Sequence, residues 1–439
     1  MNLKYLRFHL ISLILLLMLF PMRSISPKAN SAKIWLLTDI HHFSPSLFDE
    51  GSKFQEMQNQ SAGVDLRFSS QRLAALLQQI EKESPSVLLV AGDLTLNGEY
   101  QSMAEISSFY QEVETLGTDV YVIPGNHDIS NAFASSYIGD QIIRSQQVLP
   151  SDFDQLFADF GYNEAISRDK DSLSYVINLN DDWRLFMLDS NIYSKGAAMY
   201  APKTNGNLSN STLQWLRKQL SELETSHQNA LVVLHHNSLI HFSAMHEQFT
   251  LDNAEDLQKL LAEFNVPLTL SGHLHAQHIT TADLTDSNTL TDIVTGAFAV
   301  YPNPFAEITV DKQQFQYDFR TLDMDSWLAA QDNLNKDLTD YHHYLLDLFN
   351  NTSDQVAMDN IIIGHAYSET QKHATLDMFR EVNLATFTGS MQTEYPRIFE
   401  HYGELIEELA EYQNEFFISN VIEMLDMQTE NHRHLDIIW

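Results

Sequence analysis

From Lys33 onward the chain alternates short apolar runs with longer amphipathic stretches. Residues 34–37 read as a buried strand, Leu73, Leu76, Leu77 and Ile80 fall at helical spacing, and 87–90 read as a second strand. This is the strand–helix–strand rhythm of a layered α/β domain. It continues with a helix over 103–117, a strand at 120–123, strands near 174–179 and 184–188, a helix over 209–224 and a strand at 231–234. A helix near 254–265 precedes a strand at 268–270. Segments near 290–294, 305–310 and 314–320 then read as strands, with turns at Pro302 and Pro304 and no helix between them. Beyond Asp323 the strand signal fades and helical periodicity takes over. Leu334, Leu338, Tyr341, Leu345 and Leu348 form one stripe, and Phe399, Tyr402, Leu405, Leu409 and Tyr412 another. The pattern therefore divides the chain into an α/β domain over 33–322 and a helical domain over 323–439.

The first 32 residues obey a different rule. Lys4 and Arg7 precede an apolar run over 10–20 broken only by Ser12, with Ala29, Ser31 and Ala32 as small residues at possible cleavage positions. The run is short of the ~20 residues a spanning helix needs. This layout predicts a signal peptide and an exported protein, with an uncleaved N-terminal anchor as the alternative.

Composition narrows the chemistry. With 44% hydrophobic and 19% charged residues in 439, the chain is globular rather than disordered. Its net charge of −34 disfavours a polyanion such as nucleic acid. The helical segment holds 22 of the 59 acidic and 5 of the 25 basic residues, a pattern expected of solvated helix faces. The absence of cysteine excludes disulfides, thiolate nucleophiles and iron–sulfur clusters, so any metal must be held through nitrogen and oxygen.

Five of the predicted strands end in polar clusters. They are Thr38-Asp39-Ile40-His41-His42, Gly92-Asp93, Gly125-Asn126-His127-Asp128, His235-His236 and Gly272-His273-Leu274-His275. In an α/β sheet the loops leaving the carboxyl ends of parallel strands meet on one edge, where ligands bind. The five clusters would there assemble two Asp, one Asn and four or more His, a donor set suited to Zn, Mn or Fe. Seven side chains exceed what one tetrahedral ion needs and suit a pair of ions ~3.5–4 Å apart. Asp39 and His41, and likewise His273 and His275, alternate and would project together from an extended strand end. His42, His241, His246 and His278 read as ordinary satisfied histidines, and Met103, Met187 and Met245 as apolar filler.

These blocks resemble the signature of the calcineurin-like metallophosphoesterase superfamily, D-x-H, G-D, G-N-H-D, H and G-H-x-H in that order, over about residues 33–320. The resemblance implies a four-layer α/β/β/α sandwich, here followed by an all-helical C-terminal domain. It implies that Asp39, His41 and His275 hold one divalent or trivalent ion, that Asn126, His235 and His273 hold a second, and that Asp93 bridges both. It also implies attack of a metal-bridging hydroxide on phosphorus, with His127 as general acid or charge stabiliser and Asp128 orienting its other ring nitrogen. His235 rather than His236 matches the ligand position.

The run Gly92-Asp93-Leu94-Thr95 with Asn97-Gly98-Glu99 looks most like the class III cyclic nucleotide phosphodiesterase branch, and the helical extension resembles one found on exported members of that branch. A small phosphodiester, a cyclic nucleotide in particular, is the substrate this implies. A broad phosphomonoesterase or nucleotidase, and a non-catalytic metal-binding scaffold, are the alternatives. The helical domain is expected to pack over or beside the metal-bearing edge without supplying a ligand.

Overall fold

A computed structural model describes residues 31–286, 288–332, 334–363, 367–412 and 415–438. The predicted signal peptide lies almost wholly outside the described residues. Among the described residues no helix is long and apolar enough to cross a membrane.

The strands in chain order are β1 (Ala32–Leu37), β2 (Val87–Ala91), β3 (Asp119–Ile123), β4 (Ser135–Ile138), β5 (Gln141–Arg144), β6 (Ser167–Arg168), β7 (Tyr175–Asn178), β8 (Trp183–Leu188), β9 (Asn229–Leu234), β10 (Leu268–Ser271), β11 (His278–Thr285), β12 (Asn288–Val294), β13 (Pro304–Val310), β14 (Gln314–Thr321) and β15 (His434–Ile438). Two sheets are built from them. One has the order β15-β14-β13-β1-β2-β3, with β1, β2 and β3 parallel. The other has the order β11-β12-β10-β9-β8-β7-β6, with β12, β10, β9 and β8 parallel. β4 and β5 form a separate hairpin.

Strand periodicity explains the layering. Along β9, Leu231 and Val233 join the core between the sheets, whereas Val232 and Leu234 face outward to the helices Asn210–Ser221 and Ala254–Glu263. The helices Ser69–Glu83 and Tyr100–Thr115 cover the opposite side of the first sheet through Leu73, Leu76, Met103 and Ile106. The result is the four-layer α/β/β/α sandwich. Its central parallel strands β1, β2, β3 and β9 are mostly apolar because both faces are covered.

From Met324 to Thr429 the chain is mainly helical, with long helices at Tyr341–Ala357, Glu369–Phe387, Met391–Ala410 and Phe416–Asp426. Five strands escaped the periodicity, the short β4, β5 and β6 together with β11 and β15. β11 alternates polar and apolar residues at a sheet edge, and β15 follows the helices to pair antiparallel with β14. Pro304 opens β13 instead of forming a turn.

The helical region is fastened to the loops of the α/β domain. Met378, Phe379, Val382 and Met391 share one core with Phe242, Val294 and Leu274, and Leu274 lies between His273 and His275. The amide of Gln277 donates to Phe387 O at 3.2 Å, and its side chain donates to His432 O at 2.7 Å. On the other flank Arg72 pairs with Asp65 at 2.5 Å and donates to Ile40 O at 3.4 Å, while Tyr344 donates to Asp65 at 3.1 Å. The loops carrying His41 and His275 are thus braced by helices some 300 and 100 residues away in sequence.

A chain ended after Leu322 would lose β15 and uncover Leu274. It is expected to melt at a temperature lower by at least several degrees and to retain less than half its bound metal, measured by circular dichroism and elemental analysis. A truncated protein with unchanged melting and metal content would show that the braces are not needed.

Candidate metal centre

The five clusters sit at the carboxyl ends of β1, β2, β3, β9 and β10, and the topology brings them to one edge. Two groups of donors result. Asp39, His41 and His275 offer ligand atoms within 4.8 Å of one another, as do Asp93, His235 and His273. In the first, His41 Nε2 lies 3.3 Å from His275 Nε2, which lies 3.3 Å from Asp39 Oδ1. In the second, His235 Nε2 is 3.4 Å from Asp93 Oδ2 and 3.1 Å from Asn126 Oδ1. Asp93 Oδ2 is also 4.0 Å from His41 Nε2, so this carboxylate stands between the groups.

The chain reaches this arrangement through strained backbone. Asp39, His41, Asp93, His273 and His275 have φ of 52°, 44°, 50°, 68° and 64°. Left-handed residues other than glycine cost roughly 1–2 kcal/mol each, and such strain persists where surrounding contacts over-determine it. It also corrects the expected reason for the pairing: Asp39 with His41, and His273 with His275, meet through left-handed turns and not along an extended strand. Close packing leaves no alternative at two glycines. A Cβ on Gly125 would strike the Asp93 carboxylate, and one on Gly272 would strike the Thr38 hydroxyl.

Hydrogen bonds set which atoms face the centre. Asp39 Oδ2 accepts from Thr38 Oγ1 at 2.6 Å and from the amide of His273 at 3.0 Å, while Oδ1 is buried without a hydrogen-bond partner. His235 Nδ1 donates to Ala91 O at 2.7 Å, which leaves Nε2 for a cation. His273 Nε2 is taken by Gln248 O at 3.0 Å, which leaves Nδ1. His236 has both ring nitrogens engaged, with Ser190 Oγ at 2.8 Å and Thr204 O at 2.9 Å, so it supports the site from behind. His42 likewise bonds Ser69 and Glu105 and is not a donor to the centre.

The electrostatics are those of a cation site. Burial alone would raise the carboxyls of Asp39 and Asp93, yet the neighbouring histidines hold both below the usual range. Burial opposes charge on His235, but Asp93 and Asp39 outweigh it and raise its pKa to about 9. His41 and His273 are pushed down to about 3, burial being the main cause, and are neutral ligand-ready imidazoles. An orphaned buried carboxylate oxygen among ring nitrogens, with no thiolate present, fits a pair of N,O-ligated cations.

His127 lies beside the first group, its ring centroid 5.3 Å from that of His41. Its amide donates to Asp93 Oδ1 at 2.8 Å. The expected role of Asp128 is corrected here: His127 Nδ1 donates to Leu96 O at 2.7 Å, and Asp128 does not touch the ring. Asp128 instead accepts from the amides of Gly125, Leu94 and Thr95 at 2.8, 3.0 and 3.0 Å and from the Thr95 hydroxyl at 3.1 Å. It staples the β2 loop to the β3 loop. Burial and then Asp93 raise its pKa to about 7 against those hydrogen bonds. Sequence could not distinguish Leu96 O from Asp128 as the ring's partner, because any backbone carbonyl can serve.

A cavity of about 690 Å³ opens beside the centre, with His41, His127 and His275 in its wall. Its remaining wall comes from segments around residues 57–64, 96–97 and 133–144, none of which supplies a donor to either group.

The family model described as calcineurin-like phosphoesterase matches residues 32–277, and the chain belongs to that family. It is a dimetal phosphodiesterase. Residues 323–430 match the model described as the C-terminal domain of cyclic nucleotide phosphodiesterase, which places the chain with the class III cyclic nucleotide phosphodiesterase-like branch. Among similar proteins, the 3',5'-cyclic adenosine monophosphate phosphodiesterase CpdA of Escherichia coli K12 is 24% identical over 254 residues, 57% of this chain and 73% of that protein. The protein of the same name from Haemophilus influenzae is 27% identical over 248 residues, 56% of this chain and 70% of its own. A dimetal phosphatase from Danio rerio superposes with a TM-score of 0.48 at 16% identity, covering 66% of this chain and 96% of that one.

Replacing Asp93 by Ala removes the carboxylate that stands between the two donor groups. Metal content measured by elemental analysis is expected to fall from two equivalents to below one, with activity lost in parallel. Two full equivalents in the variant would refute a bridging role.

Proposed function

We propose that the protein hydrolyses 3',5'-cyclic nucleotides to nucleoside monophosphates. The observation that carries this reading is the paired donor groups with Asp93 between them and His127 at their side, in a chain whose helical region matches the cyclic nucleotide phosphodiesterase C-terminal domain. CpdA proteins, named for cyclic AMP hydrolysis, support the same substrate class.

In this reading Asp39, His41 and His275 hold one cation, Asn126, His235 and His273 the other, and Asp93 both. Two such cations, whether Mn, Fe or Zn, supply Lewis acidity toward the phosphoryl oxygens and lower the pKa of a coordinated water. The chain's own contribution is orientation and proton transfer. Because Nδ1–H of His127 is held by Leu96 O, its Nε2 is the nitrogen able to carry a proton to the departing ribose oxygen. Through the amide of His127, Asp93 fixes where that ring stands. With the donor groups loaded, this edge would carry local positive charge in a protein of net charge −34 and would attract an anionic diester.

His127→Ala should keep both metals and lower kcat by about 10²–10⁴. The loss should shrink for p-nitrophenyl esters, whose leaving group needs no proton. Disappearance of a metal from this variant would make His127 a ligand instead. The substrate class is tested by a panel of cyclic nucleotides, acyclic diesters and monoesters assayed with Mn, Fe and Zn. Cyclic nucleotides are expected to show the highest kcat/KM, and a monoester ahead of them would favour a phosphomonoesterase or nucleotidase.

A further inference from the structure

The hairpin β4–β5 has no part in holding metal, yet it walls the cavity beside the centre. Its antiparallel register sets Ser135 opposite Arg144 and Tyr137 opposite Ile142, and these four residues line the cavity. Tyr137 is buried and packs edge-on to Phe43, with ring centroids 5.8 Å apart, which anchors the hairpin. Ile142 is 57% exposed, and Phe133 just before the hairpin is 48% exposed. Both face the same cavity, and Phe133 has no ring partner among the described residues. Arg144 makes no ion pair among the described residues and is the one Lys or Arg in the cavity wall, in a chain where acids outnumber bases 59 to 25. An open aromatic face, an open aliphatic face and an uncommitted guanidinium thus surround one space.

In-line displacement fixes what fills that space. The leaving oxygen departs opposite the attacking one and takes its proton from His127, so the group bearing that oxygen must run past His127. The cavity begins there and, at about 690 Å³, lies within the range of pockets that enclose small ligands. For a cyclic nucleotide, the group bearing the oxygen is the nucleoside.

We propose that this cavity is the nucleobase subsite, with Phe133 and Ile142 packing on the faces of the base and Arg144 donating to its ring acceptors. Phe133 and Arg144 set specificity and do not touch the reacting atoms. The proposal rests on the cyclic-nucleotide reading above and adds what selects the base.

The test uses the full-length metal-loaded enzyme and its Phe133→Ala and Arg144→Ala variants. Substrates are cyclic AMP and methyl β-D-riboside 3',5'-cyclic phosphate, which carries the same reacting ring without a base. Phe133→Ala should lower kcat/KM for cyclic AMP by about tenfold, the effect of losing one base–aromatic stack. The abasic substrate should change by less than about twofold. Arg144→Ala should show the same selectivity with a smaller loss. A second readout is independent of turnover and of phosphate: adenosine binding to chelator-treated protein, followed by saturation-transfer NMR, should weaken about tenfold in Phe133→Ala. Equal losses on both cyclic substrates, or unchanged adenosine binding, would overturn the subsite. Wild-type protein that cleaves bis-p-nitrophenyl phosphate but neither cyclic phosphate would overturn the proposed function, and adenosine binding would then decide the subsite alone.

Discussion

Two buried carboxylates on neighbouring parallel strands, Asp39 after β1 and Asp93 after β2, impose the constraint on which the rest of the site depends. Both are essentially shielded from water. Desolvated ions of like sign cost several kcal/mol each unless positive charge and hydrogen bonds surround them. The fold meets this demand with four imidazoles from β9, β10 and the β1 loop, with amide donors from His127 and His273, and with two places for a cation. The same demand explains the backbone: five of the donor residues take left-handed conformations because only that path aims them inward from loops this short.

Such a path must be held from outside. Asp128 ties the β2 and β3 loops together with four hydrogen bonds, and Arg72 with Asp65 ties the β1 loop to the helix Tyr341–Ala357 through Tyr344. Leu274, buried under the later helices, ties down the loop of His273 and His275. The helical region therefore belongs to the construction of the site although it contributes none of the donors. Strand β15 closes the circuit by returning the chain to the sheet that starts with β1.

Charge is partitioned along similar lines. The helical region carries 22 of the 59 acids at its surface, while the metal-bearing edge concentrates imidazole and cation-binding capacity. An anionic protein can serve an anionic substrate in this way because field at close range is set by the nearest charges, with the distant surface screened by salt. Arg144 sits at the same edge with no acid paired to it among the described residues, in keeping with that local sign.

How much of this was legible beforehand follows from the range of each interaction. Apolar runs and their period report the burial of their own segment, so β1, β2, β3, β9 and β10 and the polar clusters at their ends could be read directly from the chain. Parallel strands converge at one edge by geometry alone, so the donor set of Asp39, His41, Asp93, Asn126, His235, His273 and His275 could be assembled without coordinates. The left-handed turns that aim those donors were not legible, since nothing in Asp-Ile-His marks a positive φ. Nor was the true partner of His127, because a main-chain carbonyl leaves no trace in residue type. The hairpin wall of the cavity, the clamp on Leu274 and the closing strand β15 depend on contacts between segments about 100 or more residues apart, which local pattern does not encode. Sequence by itself determined which atoms could do the chemistry. Only the tertiary structure decided what holds those atoms in place and what shape of molecule can reach them, because both are properties of surfaces that distant segments make together.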